Sequence, residues 1–339
     1  MTAPLLAFFL AAILAVGVTP LVRQWARRVP AQPRGEHART PEAGSETGEV
    51  RIEEVIARGE RESVPRFGGL AVAVAFYVPT VALWLGDPGA NWALARSPRV
   101  GLAFLLGGLS ALALGARDDL RPLHPLAKLG GQLLIACGVV ALGLTMQMLS
   151  VPGVGVLSLG HWAMPATVLW LVVVMNAVNL IDGLDGLASG VSLGIVAVLF
   201  VVSVLNGQPL GVIVGASLAG ALLGFLRHNS HPASIFLGDS GSMFLGFVLA
   251  AWSVLAWQKS ATGVAVVVLV VVFGLPLGDT LFAVVRRVAA GRKPWEADGG
   301  HIHHRLVGGG MSHRAAVYAL YGVGVVLTLA AFVMLGLRG

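Results

Sequence analysis

The chain has 339 residues, 56% hydrophobic and only 12% charged, with a net charge of +6 and a mean hydropathy of +0.82. Soluble domains carry about 25% charged residues, so this balance excludes a disordered chain and a soluble nucleic-acid binder. One cysteine, Cys137, excludes a disulfide scaffold and a cysteine metal cluster.

In chain order, apolar runs stand at 3–22, 67–85, 100–116, 125–144, 162–181, 187–205, 209–226, 241–257, 262–285 and 315–337. A helix needs about 20 apolar residues to cross a bilayer. The sequence therefore predicts an all-α polytopic membrane protein, a single domain over 1–339 with about ten transmembrane helices. No basic residue precedes the first run, whereas Arg23, Arg27 and Arg28 follow it, which predicts an uncleaved helix with its N-terminus outside. Ten spans from that start put both termini outside. In this topology 19 of the 23 basic residues lie inside, and Arg96, Arg99, Lys259 and Arg338 remain outside, as the positive-inside bias requires. Segment 29–66 holds eight Glu and reads as a solvated cytoplasmic loop, with a short amphipathic pattern from Val50 to Arg61. Segment 286–314 reads as a second cytoplasmic loop, basic and rich in histidine. No internal repeat is visible, which disfavours a transporter built from paired halves.

Outside the first loop nine of the 17 acids remain, and only Asp87 falls on the outer side. Acids at a bilayer are expensive and point to function; gathered on one side, they suit a divalent cation or a cationic substrate. Asp118 and Asp119 close the third run. Adjacent acids diverge at a helix end, so one can orient a metal while the other handles a proton or a phosphate; the plain alternative is a solvated pair balanced by Arg117 and Arg121. Asn176, Asn179 and Asp182 recur every three residues and share one helix face, and two Asp-Gly steps, at Asp182 and Asp185, turn the chain. Here the alternative is amides that bond neighbouring helices beside an ordinary turn. Gly238-Asp239-Ser240-Gly241-Ser242 opens the eighth run, where free backbone N–H groups could cradle a phosphate beside a metal ligand, or Asp239 could simply cap the helix. Asp279 lies in the ninth run, followed by His301-Ile302-His303-His304-Arg305. Oxygen-rich acids suit Mg²⁺ or Mn²⁺ better than zinc, and histidines flanked by Arg suit phosphate contacts or proton shuttling.

These clusters, in this order, resemble the polyprenyl-phosphate N-acetylhexosamine-1-phosphate transferase family, of glycosyltransferase family 4 type. The resemblance runs from Pro65-Arg66-Phe67-Gly68-Gly69 to His304, through Asp118-Asp119, NAVNLIDGLDGLASG at 176–190, FLGDSGSMFLG at 236–246 and HIHH at 301–304. It implies a Mg²⁺ cofactor, with Mn²⁺ as an admissible substitute, held by Asp239 and Asn179. It further implies phosphate handling by Asp118 and Asp119, as base or nucleophile, and a nucleotide and metal region lined by Asp182 and Asp185. Asn176, Lys128, His301, His303, His304 and Arg305 would contact substrate. The spaced histidines are similar to the UDP-GlcNAc branch; the muramoyl-pentapeptide branch typically has consecutive histidines followed by an acid.

The implied activity is transfer of GlcNAc-1-phosphate from UDP-GlcNAc to a polyprenyl (undecaprenyl) phosphate, with release of UMP. It would occur at the cytoplasmic face of a bacterial plasma membrane, as the first membrane step of a cell-envelope polysaccharide. The alternatives are the muramoyl-pentapeptide reaction and, in a different class, a secondary transporter. A transporter needs charges near the midplane, where only Asp279 fits well. Expected partners are UDP-GlcNAc, polyprenyl phosphate and membrane lipid, with no nucleic acid; a homodimer stays open. The departure from the family pattern is an acidic insertion at about 41–63.

Overall fold

The computed structural model describes residues 2–29, 64–151, 155–257, 273–289, 291 and 301–336. Its helices are α1 (Thr2–Ala26), α2 (Gly68–Gly86), α3 (Pro88–Arg96), α4 (Pro98–Leu120), α5 (Pro125–Ala141), α6 (Ala163–Ile181), α7 (Leu187–Leu205), α8 (Pro209–Asn229), α9 (Gly238–Trp257), α10 (Gly274–Ala289), α11 (Ile302–Gly308) and α12 (His313–Gly336). Eight of them, α1, α2, α4, α6, α7, α8, α9 and α12, are long and apolar enough to cross a membrane. The molecule is a multi-pass helical membrane protein.

Of the two other expected spans, α5 is apolar but has only 17 residues. It stops short of the run's end because Gly143 takes φ +102° and turns the chain away. The ninth run is described from Phe273 onward, and α10 supplies 16 helical residues. The insertion at 41–63 and the amphipathic pattern from Val50 to Arg61 lie outside the described residues. Two features go beyond the sequence expectation. A short antiparallel hairpin pairs Met148–Val151 with Gly155–Ser158, an addition to an otherwise all-helical fold. A short helix, α3, follows Asp87, whose carboxylate accepts the Ala90 N–H at 2.9 Å. The one acid expected on the outer side is thus a helix cap. Prolines begin α3, α4, α5 and α8, where a missing N–H costs nothing.

Helix α9 is the core. Along its apolar stretch 94% of residues are buried, against α2, α4, α6 and α7. Lipid gives helices no hydrophobic reason to associate, so small residues and hydrogen bonds do that work. Gly246 of α9 lies against the backbone of Met175, and Gly107 of α4 makes room for the Phe247 ring. The Trp252 indole N–H donates to Ser203 Oγ at 3.0 Å, and Trp170 donates to Ser253 Oγ at 2.9 Å. On α8, Gly220 and Gly224 rest on the Phe8 and Ala12 carbonyls of α1, leaving Leu5, Phe9 and Ile13 of α1 exposed, as lipid-facing residues should be.

The first turn of α9 is held most tightly. A Cβ on Gly69 would lie 2.1 Å from the Gly241 nitrogen, and one on Gly115 would lie 2.2 Å from the Asp239 carbonyl oxygen. The chain before α2 also pairs with the chain before α9: Phe236 N–H donates to the Pro65 carbonyl at 2.8 Å, and Gly68 and Gly69 N–H donate to the Phe236 and Leu237 carbonyls at 2.9 Å. Overpacking such a contact costs about 1–3 kcal/mol. Gly115→Ala should therefore lower the thermal midpoint in detergent. Gly138→Ala on α5, where an added Cβ meets nothing within 4 Å, should leave the midpoint unchanged or slightly raised.

Candidate active site

Helix α4 ends with Asp118 and Asp119, both buried. Acids at a helix C-terminus oppose that helix's own dipole, so their charge must be met from elsewhere. For Asp119 it is met by α9. The carboxylate accepts the Asp239 N–H at Oδ1 and the Ser240 N–H at Oδ2, both at 2.9 Å. Gly238 takes φ +76°, and a Cβ there would lie 2.0 Å from the Arg66 carbonyl and 2.8 Å from Asp119 Oδ2. This corrects one expectation: the Asp239 and Ser240 amides of the Gly-Asp-Ser-Gly turn are not open for a phosphate, because Asp119 fills them.

Asp118 points elsewhere. Its Oδ1 accepts the Leu123 N–H at 2.7 Å, and its Oδ2 lies 2.9 Å from Lys128 Nζ. The same ammonium donates to Asn179 Oδ1 at 3.0 Å and to Asp239 Oδ1 at 3.1 Å. Asn179 Nδ2 in turn donates to Asp239 Oδ1 and to Ser242 Oγ at 2.7 Å. Four elements thus deliver Asp118, Lys128, Asn179 and Asp239 to one point. One turn deeper the same two helices meet again, where Asn176 Nδ2 donates to Gln132 Oε1 at 2.7 Å and to the Val172 carbonyl at 2.8 Å. Lys128 and Gln132 are four residues apart on α5, and Asn176 and Asn179 are three apart on α6, so two polar rungs fix their register.

Two buried carboxylates around one ammonium form a poor stabilising device, since desolvation offsets much of the attraction. Their place at a shared focus points to chemistry instead. Asp118 Oδ2, Asn179 Oδ1 and Asp239 Oδ1 all converge on a single cationic nitrogen, which stands where a cation is welcome. An all-oxygen donor set of this kind fits a hard divalent ion such as Mg²⁺.

The remaining expected residues fall in two further groups. Asp182 terminates α6 three residues after Asn179. Asp185, in the following turn, accepts the Ala233 N–H at 3.2 Å and lies 2.7 Å from His231 Nδ1, while its own N–H donates to His313 Nε2 at 3.1 Å. Asp279, buried in α10, meets His301 Nδ1 at 3.0 Å and accepts the Ile302 N–H at 2.8 Å. It therefore anchors the start of the histidine motif. His301 is buried and Arg305 exposed; His303 and His304 lie on α11, their side chains outside the described residues. Segment 286–314 begins in α10, contains α11 and ends in the first residues of α12, so its described residues are largely helical. Sequence reading missed Gln132, His231 and His313, and read Ser242 through its backbone N–H and not through the hydroxyl that meets Asn179. Only Gln132 carried a signal, as an amide in an apolar helix that needs a partner.

Among the described residues, an apolar bundle with a buried, oxygen-lined polar focus at the ends of its helices is an arrangement suited to a membrane-embedded enzyme acting on charged groups. A family model, Glycosyl transferase family 4, matches residues 101–257, a stretch that contains the whole focus. The chain is 37% identical over 272 residues to the probable undecaprenyl-phosphate N-acetylglucosaminyl 1-phosphate transferase of Bacillus subtilis, covering 80% of this chain and 73% of that protein. It is 37% identical over 282 residues to the decaprenyl-phosphate N-acetylglucosaminephosphotransferase of Mycolicibacterium smegmatis, covering 77% and 69%. It is 31% identical over 263 residues to the phospho-N-acetylmuramoyl-pentapeptide-transferase of Lactiplantibacillus plantarum, covering 74% and 78%. The chain belongs to glycosyltransferase family 4.

The two adjacent acids should respond differently to the same substitution. Asp119→Asn sets an amide NH₂ against one of the two α9 N–H groups and removes a charged hydrogen-bond acceptor, a loss of about 1.5–3 kcal/mol. It should lower the thermal midpoint in detergent, whereas Asp118→Asn should change it less. Equal shifts would contradict the capping role.

Proposed function

We propose that this protein transfers GlcNAc-1-phosphate from UDP-GlcNAc to a polyprenyl phosphate of undecaprenyl type, releasing UMP, at the cytoplasmic face of a bacterial plasma membrane. The observation that carries this reading is the focus of Asp118, Lys128, Asn179 and Asp239, within a chain of this family. The relatives named for GlcNAc-phosphate transfer are 37% identical, against 31% for the muramoyl-pentapeptide relative, which supports the amino sugar as donor. The cytoplasmic orientation is supported by the 19 of 23 basic residues that the ten-span topology places inside.

Both substrates are anionic, so the site must first screen their repulsion. Mg²⁺, held by Asp239 and Asn179 with Asp118 beside them, would supply charge neutralisation for the donor diphosphate. Lys128, whose ammonium holds these oxygens in the structure, would move aside for the ion and supply a second positive charge next to it. An acceptor phosphate oxygen forms a bond to the β-phosphorus of the donor, and the bond from that phosphorus to the bridging oxygen breaks as UMP leaves. We favour direct attack. Each carboxylate oxygen of Asp118 and Asp119 already receives a donor, which blunts either acid as a nucleophile; the acceptor phosphate brings its own negative charge. Asp119 is then a positioning residue and Asp118 the acid nearer the chemistry. Arg305 and the histidines of α11 add cationic or hydrogen-bonding groups for the diphosphate.

Purified protein should release UMP from UDP-GlcNAc only when polyprenyl phosphate and Mg²⁺ are both present. Faster release from UDP-MurNAc-pentapeptide would move the protein to the other branch. Asp239→Asn should lower turnover by about 10²–10³, the scale of losing one charge-stabilising group, while the variant still inserts and folds. Direct attack also forbids exchange of labelled UMP into UDP-GlcNAc without acceptor. Such exchange would instead require a covalent phospho-enzyme.

A further inference from the structure

Segment 301–312, which carries the histidine motif, is fastened at each end by a different Asp–His pair. At its start, Asp279 of α10 holds His301 and caps α11 through the Ile302 N–H. At its end, α12 begins with His313, whose Nε2 accepts the Asp185 N–H at 3.1 Å and lies 3.8 Å from Asp185 Oδ1. His231, from the chain between α8 and α9, approaches the same aspartate, with Nδ1 at 2.7 Å from Oδ2. The two imidazoles stack with centroids 4.6 Å apart and planes 23° from parallel. Three separate parts of the chain therefore meet on one buried carboxylate, in the turn that begins only a few residues after Asn179. Two helical turns further along α12, Tyr321 donates to the Gly186 carbonyl at 2.7 Å and its ring lies over Gly190.

We propose that His313 and His231 are positioning residues: with Asp185 they latch segment 301–312 to the α6–α7 turn and so fix the histidine motif over the donor side of the site. The donor half of this statement rests on the transferase reading; the latch itself does not. The hydrogen bonds specify the roles of the rings. His313 Nε2 accepts a backbone N–H, so the proton of its neutral ring sits on Nδ1. His231 Nδ1–H donates a hydrogen bond to the Asp185 carboxylate. What His313 contributes is an acceptor at the reach of Nε2, and a glutamine side-chain oxygen can supply the same thing. A ring acting as metal ligand or proton shuttle could not be replaced in that way.

The test pairs hydrogen exchange of the 302–312 amides with steady-state kinetics on the full chain in detergent, for His313→Ala, His313→Gln and His231→Ala. Losing one buried hydrogen bond corresponds to about tenfold in an equilibrium. His313→Ala should therefore raise exchange in 302–312 by about tenfold without substrate, and raise KM for UDP-GlcNAc by a similar factor while kcat and KM for polyprenyl phosphate change little. His313→Gln should restore most of both, and His231→Ala should shift both in the same direction as His313→Ala. Exchange in His313→Ala equal to that of the unaltered chain would overturn the latch, as would a glutamine variant as impaired as the alanine one. The exchange arm needs no substrate. If the unaltered chain released no UMP, the transferase reading would fail while the latch was still judged on exchange alone.

Discussion

The site depends on one pairing: the C-terminal end of α4 faces the N-terminal end of α9, with Asp119 between them. Two carboxylates at the end of a helix of its own polarity would be unfavourable in an apolar bundle. Turning one of them onto the first amides of α9 meets the charge with the positive end of another dipole and satisfies two backbone donors at once. That contact sets the depth of Asp239. Gly69, Gly115 and Gly238 allow the backbones to come close enough for it, and no other residue type fits the spaces they leave.

Once α9 is placed, the polar focus follows from helix geometry. The register of α5 against α6 is fixed by the Gln132–Asn176 rung, which brings Lys128 level with Asn179. The focus is electrostatically expensive and contributes little to holding the fold. The fold instead rests on α9 and the small-residue contacts around it, which leaves the focus available for binding and chemistry. Rigid support beneath and charged groups at the ends of helices is the arrangement that preorganised electrostatic catalysis requires.

How much of this was legible in the sequence differs by feature. Membrane spans were, because a long apolar run has few alternatives, and the eight qualifying helices fall on eight of the ten runs. The resemblance to the family came from residues close together along the chain, and the comparisons bear it out. Partnerships over long separations were not legible. Asp119 and Asp239 are 120 residues apart, and nothing local to either says that one caps the other. The same holds for Asp279 with His301 and for Asp185 with His231 and His313. The hairpin and α3 were hidden for the opposite reason, being short elements without enough pattern to distinguish from loop.

The burial of α9 also bears on how the protein is made. Among the eight candidate spans α9 is the least apolar, while its burial is the highest. A helix of that composition is the least suited of the eight to stand alone in lipid. Its partners α2, α4, α6 and α7 all precede it in the chain. When α9 is made, the segments that will enclose it have already been synthesised, an order that suits a helix better enclosed by protein than by acyl chains. Chain order thus suits the insertion of a helix that carries an aspartate at its tip.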